Sequence, residues 1–172
     1  MAVETSSNSS TANRAPWRRP VSRTGLSRLT LPATFEATCR CYVVVEPGVI
    51  PRVRSEANIR VPDLAVSCEV LDAGQQALTE PTVVVEILPP SNESETRENV
   101  WAYTTIPTVR EILLIRSNRI AAELIRRGVD GIWPANPQPI DAEAALVLES
   151  LDFSCPLAAI YENTHLARTG GN

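Results

Sequence analysis

Short apolar runs separated by turn residues fill the chain from position 41 onward, and this pattern predicts a sheet. The run TVVVEIL at 82–88 is the most strongly apolar, which predicts a central strand buried on both faces. Glu86 lies inside this run, where an unpaired carboxylate costs on the order of several kcal/mol, so it needs a partner. Further runs predict strands at 41–45, 49–54, 59–66, 109–115, 120–125 and 146–148.

A helix is predicted at 95–105, because good helix formers follow the prolines that end the central strand and acidic residues crowd the first turns. Val100, Trp101 and Tyr103 form its predicted apolar side. A short helical turn is predicted at 156–161. Several antiparallel strands, one central strand, one helix and a hairpin predict an α+β fold, either a sandwich or a mixed β-sheet with one flanking helix.

Charge divides the chain into two parts. Residues 1–40 carry a net charge of +4, and they are rich in Ser, Thr, Pro and Arg without a sustained hydrophobic period. We therefore predict a disordered basic tail at 1–40 and a folded domain at 41–168. The folded domain carries most of the acidic residues of the chain. A basic tail could help to hold nucleic acid, although such tails are more often simply solvated.

Composition narrows the classes of function. No apolar run reaches the ~18 residues of a membrane span, and the N-terminus lacks the apolar core of a signal peptide, so we expect a cytoplasmic protein without a membrane partner. All 16 basic residues are arginine, which excludes a catalytic lysine. His165 is the only histidine, which argues against a zinc site and a Ser/His or Cys/His nucleophile. Cys68 and Cys155 are expected to be buried, reduced thiols.

Asp63 and Glu86 are the candidate site residues. Asp63 follows a proline at the head of one predicted strand, and Glu86 lies in the next. Two adjacent strands could bring these carboxylates together, and such a pair, with a main-chain carbonyl, suits Mg²⁺. The spacing leaves alternatives open, because Asp63 could cap a turn and Glu86 could pair with an arginine such as Arg60 or Arg116.

The sequence motifs around the two acids resemble one family, the Uma-two group of bacterial restriction endonuclease-like proteins. This group lies within the PD-(D/E)XK nuclease-like superfamily. The resemblance covers roughly 43–168. It is carried by NIRVPDLAV at 58–66, PTVVVEIL at 81–88, PSNE at 90–93, TRENVWAY at 96–103, IPTVREILL at 106–114 and IAAEL at 120–124.

This resemblance implies a restriction-endonuclease-like mixed β-sheet with flanking helices, and an endonuclease that hydrolyses DNA phosphodiester bonds. It implies that Asp63 and Glu86 jointly hold Mg²⁺ or Mn²⁺, and that the following helix carries the family's catalytic lysine. Asn99 stands at that lysine position and cannot supply a positive charge. Arg97 could partly substitute, and Glu95 is either a third carboxylate of the site or a helix-start acid.

The resemblance does not extend over the tail, where the family normally has helices. We therefore hypothesise that the tail is a non-native N-terminus and that the N-terminal helical part is missing or disordered. Loss of the lysine supports an alternative function, a catalytically inactive nuclease-fold protein that binds nucleic acid or another partner; a defective gene product is a weaker alternative. A homodimer is one assembly that the sequence leaves open.

Overall fold

A computed structural model describes residues 41–52, 58–70, 77–91 and 93–168, and they form an α+β fold. The predicted tail lies outside these residues, so the domain boundary at 41 stays a prediction. The strands are β1 (Tyr42–Val45), β2 (Leu64–Ser67), β3 (Val83–Leu88), β4 (Glu111–Arg116), β5 (Ala121–Arg126), β6 (Gln138–Asp141), β7 (Ala145–Leu148) and β8 (Phe153–Pro156). The helices are α1 (Glu93–Tyr103), the 3-10 helix Glu149–Leu151, α2 (Leu157–Ile160) and α3 (His165–Arg168).

Six strands form one mixed sheet in the order β1-β2-β3-β4-β5-β6, and β7 pairs with β8 in a separate hairpin. Neighbouring strands of the large sheet are antiparallel except β3 and β4, which are parallel. A parallel pair needs a crossover connection, and here α1 lies within it. The predicted mixed sheet with a flanking helix, and the central position of the strand that carries Glu86, are confirmed.

Both faces of the sheet are covered, which explains why β3 is apolar almost throughout. Alternate residues of β3 belong to different core clusters: Val84 and Leu88 pack with α1, whereas Val83 and Val85 pack with the β7–β8 hairpin and α2. Glu86 has the same parity as Val84 and Leu88, so its side chain lies on the α1 face of the sheet.

The helix α1 packs on the sheet through one side, and Ala102 is buried next to the residues that form it. Thr96, Val100 and Tyr103 are buried at intervals of four and three residues, which is the spacing of one helix face. Trp101 is 65% exposed, so its predicted place on the apolar side is wrong. Trp101 is two residues before Tyr103, and two residues correspond to about 200° of rotation, so Trp101 lies nearly on the opposite side of α1. Among the described residues no helix is long and apolar enough to span a membrane.

Cysteine chemistry differs in part from expectation. Cys41 and Cys68 form a disulfide between directly opposed positions at the open end of the β1–β2 ladder. The prediction that Cys68 is a buried, reduced thiol is therefore wrong, and the residue is exposed. Cys155 is a buried free thiol, as predicted, and burial raises its pKa. Cysteine spacing gave no sign of the disulfide, because the bonded residues meet only through strand pairing.

Candidate active site

The two acids lie opposite each other on neighbouring strands. Asp63 immediately precedes β2. The antiparallel register pairs Leu64 with Val85, so Asp63 is the residue opposite Glu86. Oδ2 of Asp63 accepts a hydrogen bond of 2.7 Å from the backbone N–H of Ile87. The structure thus brings together the two acids that the sequence nominated.

Glu86 is buried, with 6% of its surface exposed, and one of its hydrogen-bond partners comes from the helix. The hydroxyl of Tyr103, the last residue of α1, donates a bond of 2.6 Å to Oε1 of Glu86. Tyr103 is itself fully buried. The sequence predicted Tyr103 only as an apolar contact. The signal that could have identified its role was the polar end of a tyrosine placed on the helix face that covers a buried acid.

Burial dominates the electrostatics of this pair. It raises the pKa of the Glu86 carboxyl from 4.5 to about 8; the bond from Tyr103 opposes the rise, and the neighbouring Asp63 charge adds to it. Burial and the Glu86 charge also raise the pKa of Tyr103, while the Arg60 guanidinium lowers it. Arg60 is therefore a cation close to the site. The predicted alternative partner Arg116 binds other acids, and among the described residues no arginine forms an ion pair with Glu86.

A second buried glutamate, Glu111, differs from Glu86 because several hydrogen-bond donors surround its carboxylate. Glu111 is 1% exposed and accepts bonds from Arg126 Nε at 2.8 Å and from the backbone amides of Glu149 and Ser150 at 3.2 and 3.0 Å. The two amides attach the 3-10 helix to β4, and Arg126 of β5 neutralises the carboxylate, so Glu111 has a structural role. Glu86 instead has Tyr103 and the Asp63 backbone as hydrogen-bond partners, pairs with no arginine in the described part of the chain, and faces a second acid.

Asn99 lies one helical turn before Tyr103, on the same side of α1, and is half-buried. The position that resembles the family's lysine position is therefore on the side of the helix that reaches Glu86. Glu95 is exposed a further turn away. The described part of the chain contains no group of three or more acidic, cysteine or histidine residues arranged for a metal ion, so Glu95 does not join the acid pair.

Arg97 belongs to a separate charge cluster, which consists of Glu93, Arg97, Arg116 and Glu123. Arg97 binds Glu93 at 2.7 Å and Glu123 at 2.9 Å; Arg116 binds the same two acids at 3.0 and 2.7 Å. The guanidinium groups hold the pKa of Glu93 down to about 2. Arg97 precedes Asn99 by two residues and so lies on nearly the opposite side of α1, where it does not replace the lysine.

The donor set of the acid pair fits a hard divalent cation. Asp63 and Glu86 offer carboxylate oxygens, the ligand type that Mg²⁺ and Mn²⁺ prefer. Ile87 engages Oδ2 of Asp63 and Tyr103 engages Oε1 of Glu86. The Glu86 carboxyl is also hydrogen-bonded to the side chain and the backbone of Asp63, so a cation bound by both acids would take the place of the direct contact between the two carboxyls. A cation there would also offset the burial of Glu86 beside a second acid.

The sequence profile of the Uma2 family, described as "Putative restriction endonuclease", matches residues 23–158. The chain belongs to the Uma2 family. The match includes Asp63, Glu86 and Asn99, and it confirms the resemblance noted from the sequence motifs. It begins upstream of position 43, so part of the predicted tail is itself matched by the Uma2 profile.

Two individual proteins are similar to this Uma2 member. The "Uncharacterized protein slr1290" of Synechocystis sp. (strain ATCC 27184 / PCC 6803 / Kazusa) is 33% identical over 107 residues, which is 60% of this chain and 55% of that protein. The crystal structure of "a putative nuclease belonging to DUF820" from Anabaena variabilis ATCC 29413 superposes with a TM-score of 0.58 over 76% of this chain and 75% of that chain. At 14% identity, this second likeness shows the fold alone.

Proposed function

We propose that this Uma2 protein is a metal-dependent endonuclease that hydrolyses DNA phosphodiester bonds, with Asp63 and Glu86 holding Mg²⁺ or Mn²⁺. The observation that carries the proposal is the opposed pair of carboxylates, one of them buried without a cationic partner among the described residues. A protein that keeps such a pair loses stability by it unless a ligand compensates. Family membership and the nuclease-like fold agree with this function.

The residues of the proposed site have separate roles. A bound Mg²⁺ supplies Lewis-acid chemistry, which stabilises negative charge on a phosphodiester and lowers the pKa of a water. Asp63 and Glu86 hold the cation, and the backbone N–H of Ile87 orients Asp63. Asn99, one turn before Tyr103, can donate a hydrogen bond to a phosphate or a water, but it carries no charge to neutralise the transition state.

Plasmid nicking in the presence of Mg²⁺ or Mn²⁺ tests this function. Asp63→Asn and Glu86→Gln remove one ligand charge each with little change of shape, and we expect either to lower nicking by about a hundredfold or more. Asp141→Asn and Glu143→Gln are matched controls, because both acids are exposed and distant in sequence from the pair. Equal nicking by all four variants would show that a contaminating nuclease or another site cleaves the DNA.

A second function, a nucleic-acid-binding protein that no longer cleaves, is favoured by one observation: a neutral Asn99 occupies the site-facing side of α1 while Arg97 is bound to Glu93 and Glu123. Asn99→Lys restores the missing charge, and we expect it to increase nicking at least about tenfold. Ser94→Lys is the matched control, since it adds the same charge on the outer side of α1. DNA binding without nicking, in both the wild type and Asn99→Lys, would support the non-cleaving function.

DNA as substrate, the cytoplasmic location and a homodimer remain predictions. The Cys41–Cys68 disulfide argues against the cytoplasmic location, because disulfides persist mainly in oxidising compartments. Size-exclusion chromatography with light scattering measures the oligomeric state, and thiol trapping in freshly lysed cells measures whether the two cysteines are bonded in the cell.

A further inference from the structure

Two buried tyrosines of this chain use their hydroxyls in different ways. Tyr161 is fully buried and donates to the backbone carbonyl oxygens of Arg116 and Ala121 at 2.8 and 2.9 Å, which is a common way to satisfy a buried phenol. Tyr103 is equally buried, but its hydroxyl donates at 2.6 Å to Oε1 of Glu86. The phenol of Tyr103 is thus directed at one oxygen of one of the two candidate ligands.

The pair is held by two donors from different elements. The backbone N–H of Ile87, on β3, engages Oδ2 of Asp63 at 2.7 Å, and Tyr103, on α1, engages Oε1 of Glu86. A glutamate side chain has several rotatable bonds, and a short bond from a buried, immobile phenol restricts them. The Glu86 carboxyl is also hydrogen-bonded to the backbone and side chain of Asp63, so the two acids are held against each other in a fixed orientation.

We propose that Tyr103 is a positioning residue of the metal site, whose hydroxyl holds Oε1 of Glu86 so that Glu86 meets the cation through Oε2. The proposal rests on the proposed function, since it takes Asp63 and Glu86 as the ligands. Hydrogen bonds to ligating carboxylates orient them, and loss of such a partner typically weakens metal binding by about 10- to 100-fold.

Calorimetric titration of the full chain with Mn²⁺ tests the proposal without any nuclease assay. We expect Tyr103→Phe, which keeps the ring and removes only the hydroxyl, to raise the Mn²⁺ Kd by about tenfold or more. Tyr161→Phe is the matched control, because it deletes an equally buried hydroxyl on the other face of the sheet. It is expected to leave the Mn²⁺ Kd within about twofold of the wild type, even if it lowers the melting temperature.

A double-mutant cycle separates positioning from general loosening of the fold. In the Glu86→Gln background the ligand charge is already removed, so the added Tyr103→Phe change is expected to have almost no further effect on the Mn²⁺ Kd. An equal loss in both backgrounds, or a Tyr103→Phe protein that binds Mn²⁺ as tightly as the wild type, would overturn the proposal. If neither Asp63→Asn nor Glu86→Gln changes Mn²⁺ binding, the proposed metal site fails and this proposal fails with it.

A measurement on the wild-type side chain covers the case in which Tyr103→Phe does not fold. The chain has three tyrosines, so ring-labelled tyrosine gives three signals, and Tyr42→Phe and Tyr161→Phe identify the Tyr103 signal by elimination. Diamagnetic Mg²⁺ is expected to shift the Tyr103 signal, because its acceptor Glu86 changes charge and partner. A Tyr103 signal that is unchanged at saturating Mg²⁺, while Asp63→Asn abolishes binding, would reject the positioning role.

Discussion

A buried carboxylic acid that keeps its proton near neutral pH is the main residue-scale feature of this protein. Burial raises the pKa of Glu86 to about 8, while an unfolded chain ionises the same group near 4.5. Without metal, the folded state therefore binds one more proton than the unfolded state between those two pH values. The stability of the folded state decreases as the pH rises through this window.

The expected slope can be measured in EDTA. From pH 4.5 to about 8, the free energy of unfolding should fall by up to about 1.4 kcal/mol per pH unit, and below this window the contribution of Glu86 should be constant. Urea unfolding of the wild type and of Glu86→Gln across the window isolates the contribution, since the amide does not titrate. Identical pH slopes for the two proteins would contradict the assigned pKa.

The identity of the acid pair could be predicted from the sequence, but its hydrogen-bonding partner could not. Asp63 heads one strand and Glu86 interrupts the apolar pattern of the next, and strand pairing makes neighbours of such residues. Tyr103 gave no separate signal, because an aromatic residue on the buried side of a helix fits the same pattern whether or not its hydroxyl has a partner. Trp101 was assigned to that side because it is large and apolar, yet its angular position on α1 exposes it.

At the scale of elements, the charge cluster Glu93, Arg97, Arg116 and Glu123 joins α1 to β4 and β5. Glu123 is the least exposed acid of the cluster, with 15% of its side chain accessible, and both arginines bind it. Ion pairs at exposed sites contribute little, but removing one partner of a half-buried pair leaves the others with uncompensated charge. The cluster should therefore stabilise the contact between α1 and the sheet.

Glu123→Gln should lower the free energy of unfolding by about 1–2 kcal/mol, because it leaves Arg97 and Arg116 sharing one acid. Unfolding in urea, which is uncharged, measures the effect at low and at high salt. The loss of stability should be smaller at high salt, because salt screens the charges. Glu143→Gln, at an exposed acid of the same charge, is the control and should change stability by less than about 0.5 kcal/mol. If Glu123→Gln is as mild as this control, the cluster does not stabilise the helix.

Elements with an apolar run were predicted, including the short strands β1 and β7, whereas two short strands without such a run were not. The runs at 82–88, 109–115 and 120–125 correspond to β3, β4 and β5, and the helix begins only two residues earlier than predicted. Two strands were missed, β6 and β8, which are four residues each and include a proline. Their alternation is too short to be distinguished from a loop, and they form because β5 and β7 offer free edges.

At the scale of the whole molecule, a disulfide cross-links the chain segments of β1 and β2 at one edge of the large sheet. The Cys41–Cys68 disulfide joins the ends of the β1–β2 segment, which contains Asp63, and the bonded positions are 27 apart in sequence. A cross-link of that span stabilises a fold by about 3 kcal/mol in the loop-entropy model. We expect the double change Cys41→Ser/Cys68→Ser to lower the free energy of unfolding by about that amount.

Reductant provides an independent measurement of the same quantity. Dithiothreitol should destabilise the wild type as much as the double serine variant is destabilised, and it should leave that variant unchanged, because Cys155 is a free thiol. Wild-type protein whose unfolding curve does not respond to the reductant would show that the two cysteines are not bonded. The sequence pattern favoured pairing of 41–45 with the next predicted strand at 49–54. The structure pairs β1 with β2 instead, in the register that brings Cys41 opposite Cys68, and apolar spacing does not specify that register.

The placement of Asn99 has an evolutionary consequence. Codons for asparagine and lysine share their first two bases and differ only in the third, so one point mutation converts either residue into the other. The other residues of the site, from Asp63 to Tyr103, lie within 41 consecutive residues of the chain. A lineage that carries this chain is thus a single nucleotide away from a version with a lysine at position 99, the position that the resemblance assigns to the family's lysine.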